Sequence, residues 1–182
     1  MSALFPIPED AQQQLKRVIR DVPDFPQPGI LFRDITPLLG DAAMLRLSIN
    51  LLAAPWRDGG VDGIVGIESR GFLFGMPLAY ALGTGFVPVR KAGKLPHTTI
   101  AAEYTLEYGA NAIEIHADAV QPGQRVVIVD DLLATGGTAA ATVALLRRLG
   151  ADVVGLAFVI ELAALGGRAK LANLPIQTLV MY

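Results

Sequence analysis

Residues 126–150, "VVIVDDLLATGGTAAATVALLRRLG", place four apolar residues, two aspartates, a Thr-Gly-Gly-Thr run and a helical pattern in succession. The β-branched run at 126–129 is typical of a buried parallel strand. Apolar residues then recur at helical spacing, with arginines in the last turn and Gly150 as a C-cap. The stretch therefore predicts a strand, a loop at 130–138 and a helix at 139–149, which is the repeating unit of a parallel α/β sheet.

The loop lies where a strand's carboxyl end meets a helix's amino end, a junction suited to binding a phosphate. Amides in the first turn of a helix lack partners within the helix, and the helix dipole is positive there. Gly136 and Gly137 let the backbone approach a ligand closely, while Thr135 and Thr138 add hydroxyl donors. The stretch has neither the lysine of a P-loop nor the glycine spacing of a dinucleotide fingerprint, so we expect it to hold one terminal phosphate.

Asp130 and Asp131 come just before the glycines, and their charge would repel a phosphate. Carboxylates instead accept hydrogen bonds from vicinal hydroxyls, or hold Mg²⁺ through water. A phosphate next to a diol describes a ribose 5-phosphate, which we predict to be part of the ligand. The alternative interpretation is a tight strand-to-helix turn with two solvated aspartates.

The composition is that of a globular chain. Of its 182 residues 52% are hydrophobic and 18% are charged, enough to bury a core in one domain spanning 1–182. A formal net charge of -2 argues against a nucleic-acid partner, which needs a basic surface. The chain has no cysteine, which excludes disulfides and thiol chemistry. No signal-peptide pattern opens the sequence, so we expect a cytoplasmic protein.

Residues 71–89 contain no charged residue and approach the length of a membrane span. Gly83 and Gly85 interrupt this run. We therefore predict a helix at 72–82 followed by a strand at 86–90, and no contact with a membrane.

The rest of the chain alternates in the same way. We predict helices at 8–21, 41–54, 72–82 and 139–149, and strands at 63–67, 86–90, 126–129 and 153–160. This order predicts a parallel α/β sheet with ligands at the carboxyl ends of its strands. Residues 112–116 alternate in polarity and predict an antiparallel strand at the edge of a flap. Segment 23–39, punctuated by prolines, is predicted to be irregular.

Glu68, Ser69 and Arg70 follow the predicted strand at 63–67 and precede another helix. Arg70 and the amides of this turn are suited to gripping a diphosphate. A surface arginine in a turn is the simpler interpretation of this segment taken alone. A second phosphate-binding loop in the same sheet favours the functional interpretation.

Segment 90–109 begins with three cations, carries glycines near both ends and has little sustained apolar pattern. These features predict a mobile lid over the diphosphate. His97 and His116 have no partners spaced for zinc or for a catalytic triad, so we assign them no such role. In segment 23–39 the ring of Phe32 is suited to lie against a flat base, although a packed strap explains that segment equally well.

The stretch 126–138 resembles the phosphoribosyl diphosphate (PRPP) motif of the type I phosphoribosyltransferases. With "DFPQPGILFRDITPLL", "ESRGFLFG", "RKAGKLP" and "LEYG", it resembles the adenine branch of that family over residues 23–138, in the family's order. The resemblance implies a Rossmann-like parallel sheet with a flexible hood or lid, and a homodimer. It also implies a purine salvage reaction in which adenine and PRPP give AMP and diphosphate, with Mg²⁺ on the diphosphate.

The resemblance further implies a role for particular residues. Adenine would be recognised by Leu31, Phe32 and Arg33. The diphosphate would be contacted by Arg70, Lys91 and Lys94, with Glu68 and Ser69 in the same turn as Arg70. The ribose would be engaged by Asp130 and Asp131, and the 5-phosphate would be held by Ala134, Thr135, Gly136, Gly137 and Thr138. Glu107 and Tyr108 of "LEYG" would close over the site. Glu107 and Arg70 are the candidate catalytic groups, and the two aspartates are candidate Mg²⁺ ligands through water.

Two other functions are compatible with parts of this pattern. A phosphoribosyltransferase for hypoxanthine or xanthine would share the phosphate loop, but the "GILFRD" segment favours adenine. A PRPP-sensing regulator on the same fold would bind nucleic acid through a basic face or an added helix-turn-helix, and the sequence shows neither.

Overall fold

The computed structural model describes residues 4–105, 110–171 and 173–182. Its helices are α1 (Glu9–Val18), α2 (Thr36–Gly40), α3 (Ala42–Ala53), α4 (Gly71–Leu82) and α5 (Gly137–Arg148). Its strands are β1 (Arg20–Pro23), β2 (Leu31–Asp34), β3 (Gly63–Ile67), β4 (Gly85–Lys91), β5 (Thr99–Thr105), β6 (Ala110–His116), β7 (Arg125–Leu133), β8 (Asp152–Glu161) and β9 (Ile176–Met181). Short 3₁₀ segments lie at Ala54–Trp56, Ala163–Leu165 and Gly167–Leu171.

Seven of these strands form one sheet in the order β5-β6-β4-β3-β7-β8-β9, and β1 and β2 form a separate antiparallel hairpin. From β4 to β9 each strand pairs parallel with its neighbour, while β6 and β5 add an antiparallel edge. The predicted α/β class with a mostly parallel sheet is therefore confirmed.

The central strands bury side chains on both faces, which explains their continuous β-branched runs. On β7, Val126 and Ile128 point into the cluster that packs against α5, whereas Val127 and Val129 point into the cluster beneath α1, α3 and α4. All four are fully buried. Since neighbouring residues of a strand face opposite sides, one sheet supports two hydrophobic cores.

The uncharged run at 71–89 divides into α4 and β4, as the glycine punctuation predicts. Gly83 ends α4 in the left-handed conformation, with φ of 68°. Within the part of the chain that is described, no helix has the length and apolarity to cross a bilayer.

Four strands were not predicted, namely β1, β2, β5 and β9. The helix predicted at 8–21 ends earlier, at Val18, and its last residues belong to β1. Segment 23–39 contributes β2 and α2, and its prolines concealed the pairing of β2 with β1. Strand β5 lies at the sheet edge, so β6 is flanked on both sides and is not the edge strand that we predicted. Every second residue of β5 packs against the α5 core, namely Ile100, Ala102 and Tyr104. The small alanine in the middle weakens the alternating apolar pattern that would have predicted this strand.

The strand order reverses between β3 and β7. From β3 the chain continues through α4 to β4 on one side, whereas β7, β8 and β9 succeed one another on the other side. In an open α/β sheet such a reversal leaves a crevice at the carboxyl ends of the two strands, where ligands bind. Glu68 follows β3 and Asp130 lies near the end of β7, so the predicted site residues meet at this crevice.

Candidate active site

Arg70 and Asp131 join the two strands at the crevice. Nε of Arg70 lies 2.8 Å from Oδ2 of Asp131. Gly71, the first residue of α4, allows this approach, because a Cβ there would fall 2.7 Å from the carbonyl oxygen of Val129. The turn after β3 and the acidic pair on β7 therefore form one site.

The acidic pair lies on strand β7 rather than in the loop where we predicted it. Leu132 and Leu133 pair with Ile160 and Glu161 of β8, which extends the strand beyond both aspartates. The loop is consequently shorter than the predicted 130–138, and the helix begins earlier, at Gly137. Both carboxylates lie at the turn after β3, because Oδ1 of Asp130 would be 2.9 Å from a Cβ on Gly71 and Oδ2 of Asp131 is 2.8 Å from Nε of Arg70.

The environment of this pair disfavours two negative charges. Asp131 is only 3% exposed, and its amide donates a hydrogen bond of 2.9 Å to Oδ1 of Asp130. Burial, followed by the charge of Asp131, raises the pKa of Asp130 well above its ordinary value. Burial also raises the pKa of Asp131, although the Arg70 guanidinium opposes the shift. A ligand that donates hydroxyls or brings a cation would relieve this repulsion.

Oδ2 of Asp131 keeps the capacity to accept a hydrogen bond. The Arg70 N–H is close but not aligned on it, and this buried oxygen has no hydrogen-bond donor among the described residues. The donor set of two adjacent carboxylates is one that Mg²⁺ accepts, either directly or through its retained waters. The residues present therefore fit a magnesium ion brought with a phosphate ligand.

Beside the pair, the segment from Ala134 to Gly136 forms a tight loop that leads into α5. Gly136 has φ of 75° and no side chain to cap the first turn of the helix, so the amides there face outward for a ligand. A cavity of about 150 Å³ lies at this loop. Its lining is Asp130, Leu132, Leu133, Ala134, Thr135, Gly136, Gly137, Thr138, Ala139 and Phe158. All five residues predicted to hold a phosphate thus line one cavity.

A second glycine segment, which the sequence analysis missed, supports this loop from behind. A Cβ on Gly136 would lie 2.5 Å from the carbonyl oxygen of Gly167, and a Cβ on Gly167 would lie 2.2 Å from that of Ala134. The two backbones are therefore in direct contact. Gly167 lies 31 positions after Gly136 in the chain and carries no polar side chain, so no local pattern could have identified it.

Two cations of segment 90–109, Arg90 and Lys94, form ion pairs with Glu68. Nζ of Lys94 donates to Oε1 of Glu68 at 2.7 Å, while Nε of Arg90 and the amide of Lys91 donate to Oε2 at 3.2 and 3.1 Å. Burial by itself would raise the pKa of Glu68, but these hydrogen bonds outweigh it and lower the pKa. The geometry holds Lys94 and the start of its loop next to the turn that carries Arg70.

Glu114 of β6 fixes the turn that carries Lys94, and the sequence analysis gave it no role. This carboxylate is 6% exposed, and its Oε1 accepts hydrogen bonds from the amides of Lys94 and Leu95 at 3.0 and 2.9 Å. Burial would raise the pKa of Glu114, but these amides outweigh it and lower the pKa. In the sequence, the signal for this residue was a glutamate on a strand that we predicted from its alternating polarity.

The hairpin of β1 and β2 forms an aromatic pocket next to the crevice. The rings of Phe25 and Phe32 meet edge to face, with centroids 5.2 Å apart. A cavity of about 230 Å³ is lined by Val22, Phe25, Phe32 and Asp34. The guanidinium of Arg70 lies 5.4 Å from the Phe32 ring, which places this pocket beside the acidic pair.

The other members of the predicted base site differ in their surroundings. Leu31 is 45% exposed, whereas the side chain of Arg33 is turned away to an ion pair with Asp21 and to the ring of Tyr182. Glu107 and Tyr108 lie outside the described residues. His97 and His116 have ring centroids 6.0 Å apart, and within the described ranges no cluster of three or more metal-ligating side chains includes them.

Comparisons with known proteins agree with this geometry. A model of the phosphoribosyl transferase domain matches residues 41–172. An adenine phosphoribosyltransferase of Microcystis aeruginosa is 60% identical over 170 residues, which covers 92% of this chain and 99% of the relative. The crystal structure of the enzyme of that name from Rhodothermus marinus has a TM-score of 0.92 at 53% identity, covering 96% of this chain and 100% of that one. The enzyme from Saccharomyces cerevisiae, complexed with D-2,5-dideoxy-2,5-imino-altritol 1,6-bisphosphate and adenine, has a TM-score of 0.88 at 45% identity, covering 93% and 98%.

Proposed function

The chain belongs to the adenine phosphoribosyltransferases, and from this premise we propose how its own residues divide the work of the reaction. It is a transferase of purine salvage that converts adenine and PRPP to AMP. During the reaction the bond between the ribose anomeric carbon and the diphosphate oxygen breaks, and a bond to N9 of adenine forms. Adenine loses one proton, and the leaving diphosphate takes the bonding electrons.

The PRPP ester phosphate binds the loop Ala134–Gly136 and the first turn of α5. The open amides, the hydroxyls of Thr135 and Thr138 and the cavity of about 150 Å³ support this assignment. The two ribose hydroxyls then lie over Asp130 and Asp131, and the carboxylates accept hydrogen bonds from these hydroxyls. The single observation that carries the proposal is this arrangement, a cavity at the phosphate loop that Asp130 of the acidic pair also lines, at the reversal of strand order.

The diphosphate binds the turn after β3. Arg70 provides a guanidinium there, and Glu68 and Ser69 shape the turn. Lys91 at the end of β4 and Lys94 in the turn after it add charge. Asp130 and Asp131 would hold Mg²⁺ through water, and the ion would supply positive charge to the leaving diphosphate. Because positive charge grows on the sugar as the bond breaks, the two carboxylates also stabilise the transition state.

Adenine binds the hairpin pocket. The ring of Phe32 provides a flat apolar surface, and the backbones of Leu31 and Arg33 pair with the edge of the base. From the resemblance of "LEYG" to the family motif, we assign Glu107 as the acceptor of the proton that adenine loses. On the same basis we assign Tyr108 to closing the site. These residues would exclude water that otherwise hydrolyses PRPP.

We further propose a homodimer in the cytoplasm. Leu73, Met76 and Tyr80 follow helical spacing on α4, and they are 46%, 53% and 91% exposed. An exposed row of large apolar side chains beside the active-site turn suits the surface of a second copy. A cytoplasmic location fits substrates whose phosphate charges keep them in the compartment where they are made.

The test is to supply PRPP and Mg²⁺ with adenine, hypoxanthine, xanthine or guanine in turn, and to measure nucleotide formation and diphosphate release. Backbone groups matched to the adenine edge stay unpaired with a 6-oxo base, which disfavours it by roughly 10⁴. Equal turnover of hypoxanthine would contradict the base site. An Asp131→Asn variant that keeps full turnover would contradict the ribose site.

A further inference from the structure

The hairpin that carries the adenine pocket is a two-stranded sheet separate from the main one. A short hairpin is marginally stable by itself and needs contacts that fix its orientation. On β2, Phe32 and Arg33 project to opposite sides because neighbouring residues alternate across a strand. Phe32 faces the pocket, so the side chain of Arg33 is available to hold the hairpin from its other side.

Arg33 makes two contacts there. Its Nη1 donates to Oδ1 of Asp21 on the paired strand β1, within the hairpin itself. Its guanidinium carbon lies 3.7 Å from the centre of the Tyr182 ring, a contact that leaves the hairpin. The side chain of Arg33 is only 15% exposed, so this cation–π contact is largely shielded from water.

Tyr182 is itself held firmly at the end of the main sheet. Its amide donates to the carbonyl of Glu161 at 2.9 Å, and its own carbonyl accepts from the amide of Ala163 at 2.9 Å. It follows β9 directly, and β9 pairs with β8 up to the pair Glu161–Met181. These backbone hydrogen bonds fix the Tyr182 ring relative to the main sheet.

We propose that Tyr182 is a positioning residue for adenine, acting through Arg33. The ring fixes the guanidinium, the guanidinium fixes β2, and the backbone of β2 then meets the edge of the base in a set orientation. This inference rests on the proposed adenine site at Leu31, Phe32 and Arg33. It extends that site to Tyr182, directly after β9.

The experiment compares Tyr182→Leu, Tyr182→Phe and Met181→Ala. Leucine keeps an apolar side chain but has no ring quadrupole, phenylalanine keeps the ring without the hydroxyl, and Met181 controls for disturbance of the same strand end. For each variant KM for adenine, KM for PRPP and kcat are measured, together with the midpoint of thermal unfolding. Phe32→Ala is assayed in parallel as a test of the base site itself.

We expect Tyr182→Leu to raise KM for adenine by about 3- to 30-fold, the range of a partly to fully desolvated cation–π contact. KM for PRPP should stay close to wild type, and both Tyr182→Phe and Met181→Ala should keep a near-normal KM for adenine. The proposal is overturned if Tyr182→Leu leaves KM for adenine unchanged, if both KM values rise together, or if Tyr182→Phe is as impaired as Tyr182→Leu. A normal KM for adenine in Phe32→Ala would instead overturn the base site, so the two failures are distinguishable.

Discussion

Replacing Gly167 with alanine is expected to weaken PRPP binding in a chain that still folds. A Cβ on Gly167 would lie 2.2 Å from the carbonyl oxygen of Ala134 and 3.0 Å from the amide nitrogen of Gly136. Non-bonded heavy atoms prefer about 3.5–4.0 Å, so the phosphate loop must retreat by roughly 1 Å. Both atoms that the methyl group would strike are backbone atoms, which cannot rotate aside as the end of a side chain would.

The size of the effect follows from this displacement. A shift of roughly 1 Å in groups that position a substrate costs up to about 10² in rate. We therefore expect kcat/KM for PRPP to fall by about 10- to 100-fold, equivalent to about 1.4–2.8 kcal/mol of transition-state stabilisation. The hairpin pocket does not contain the loop, so KM for adenine at saturating PRPP should change little.

Steady-state assays with PRPP varied at saturating adenine measure this loss, and thermal unfolding monitors the fold. Gly166→Ala is the matched control. Gly166 has φ of 64° with no atom within 4 Å of an added Cβ, so alanine there is strained by about 1–2 kcal/mol but strikes nothing. The reasoning is refuted if folded Gly167→Ala keeps the wild-type kcat/KM for PRPP, or if Gly166→Ala loses as much.

Three further substitutions address the acidic pair, the lysine turn and the lid. Asp130→Asn should lower turnover by about 10² or more while raising the unfolding midpoint at pH 7. The raised pKa of Asp130 means that stability falls as pH rises above the ordinary aspartate range, so wild type and variant should converge near pH 4 or below. Because the pKa of Glu114 is lowered in the folded chain, the stability that this carboxylate contributes is present above the ordinary glutamate pKa and is lost as the pH falls through the folded value. Glu114→Gln should therefore flatten the pH dependence of the unfolding midpoint below about pH 4.5. Glu107→Leu should lower kcat by about 10² or more and leave PRPP binding without adenine nearly unchanged.

Each of these three has an outcome that contradicts it. A less stable Asp130→Asn at pH 7 would show that the carboxylate stabilises the folded chain. An acid transition of Glu114→Gln identical to that of wild type would show that the amide contacts do not shift its titration. A loss confined to PRPP affinity in Glu107→Leu would make that residue a determinant of lid folding, and wild-type kcat would remove it from the reaction.

The segments that could be predicted from the sequence are those whose chemistry is local. A buried parallel strand needs apolar residues on both faces, and a phosphate loop needs small residues directly before a helix, so residues 126–150 indicate both features at once. The bounds predicted for β3 match those observed, α4 begins one residue earlier than predicted, and β4 is one residue longer at each end. In each case the positions of glycines and the spacing of apolar residues, all within about a dozen residues of sequence, are enough to predict the element.

The segments that could not be predicted depend on distant partners. β2 is a strand because β1 pairs with it, although β1 ends on Pro23 and two more prolines, Pro26 and Pro28, lie between the strands. Gly167 matters because the phosphate loop packs on it, and Tyr182 because Arg33 reaches it. Nothing in the residues around either position signals these contacts, since the spacing of side chains along a chain does not encode long-range packing.

The ion pairs around Glu68 impose a condition on the proposed reaction. Lys94 donates one of its three ammonium hydrogens at 2.7 Å to Glu68, whose side chain is 9% exposed, so a diphosphate must share this ammonium with the carboxylate or take it over. A diphosphate offers more charge and more acceptor oxygens than one carboxylate, so PRPP can draw the lysine away, but the exchange leaves Glu68 with fewer partners. The amide of Lys91 and the guanidinium of Arg90 remain on Glu68 and limit that cost. Lys94 is thus the cation that is able to move, while Arg90 keeps Glu68 paired, and this division of labour explains why one buried carboxylate collects three donors at the mouth of an anion site.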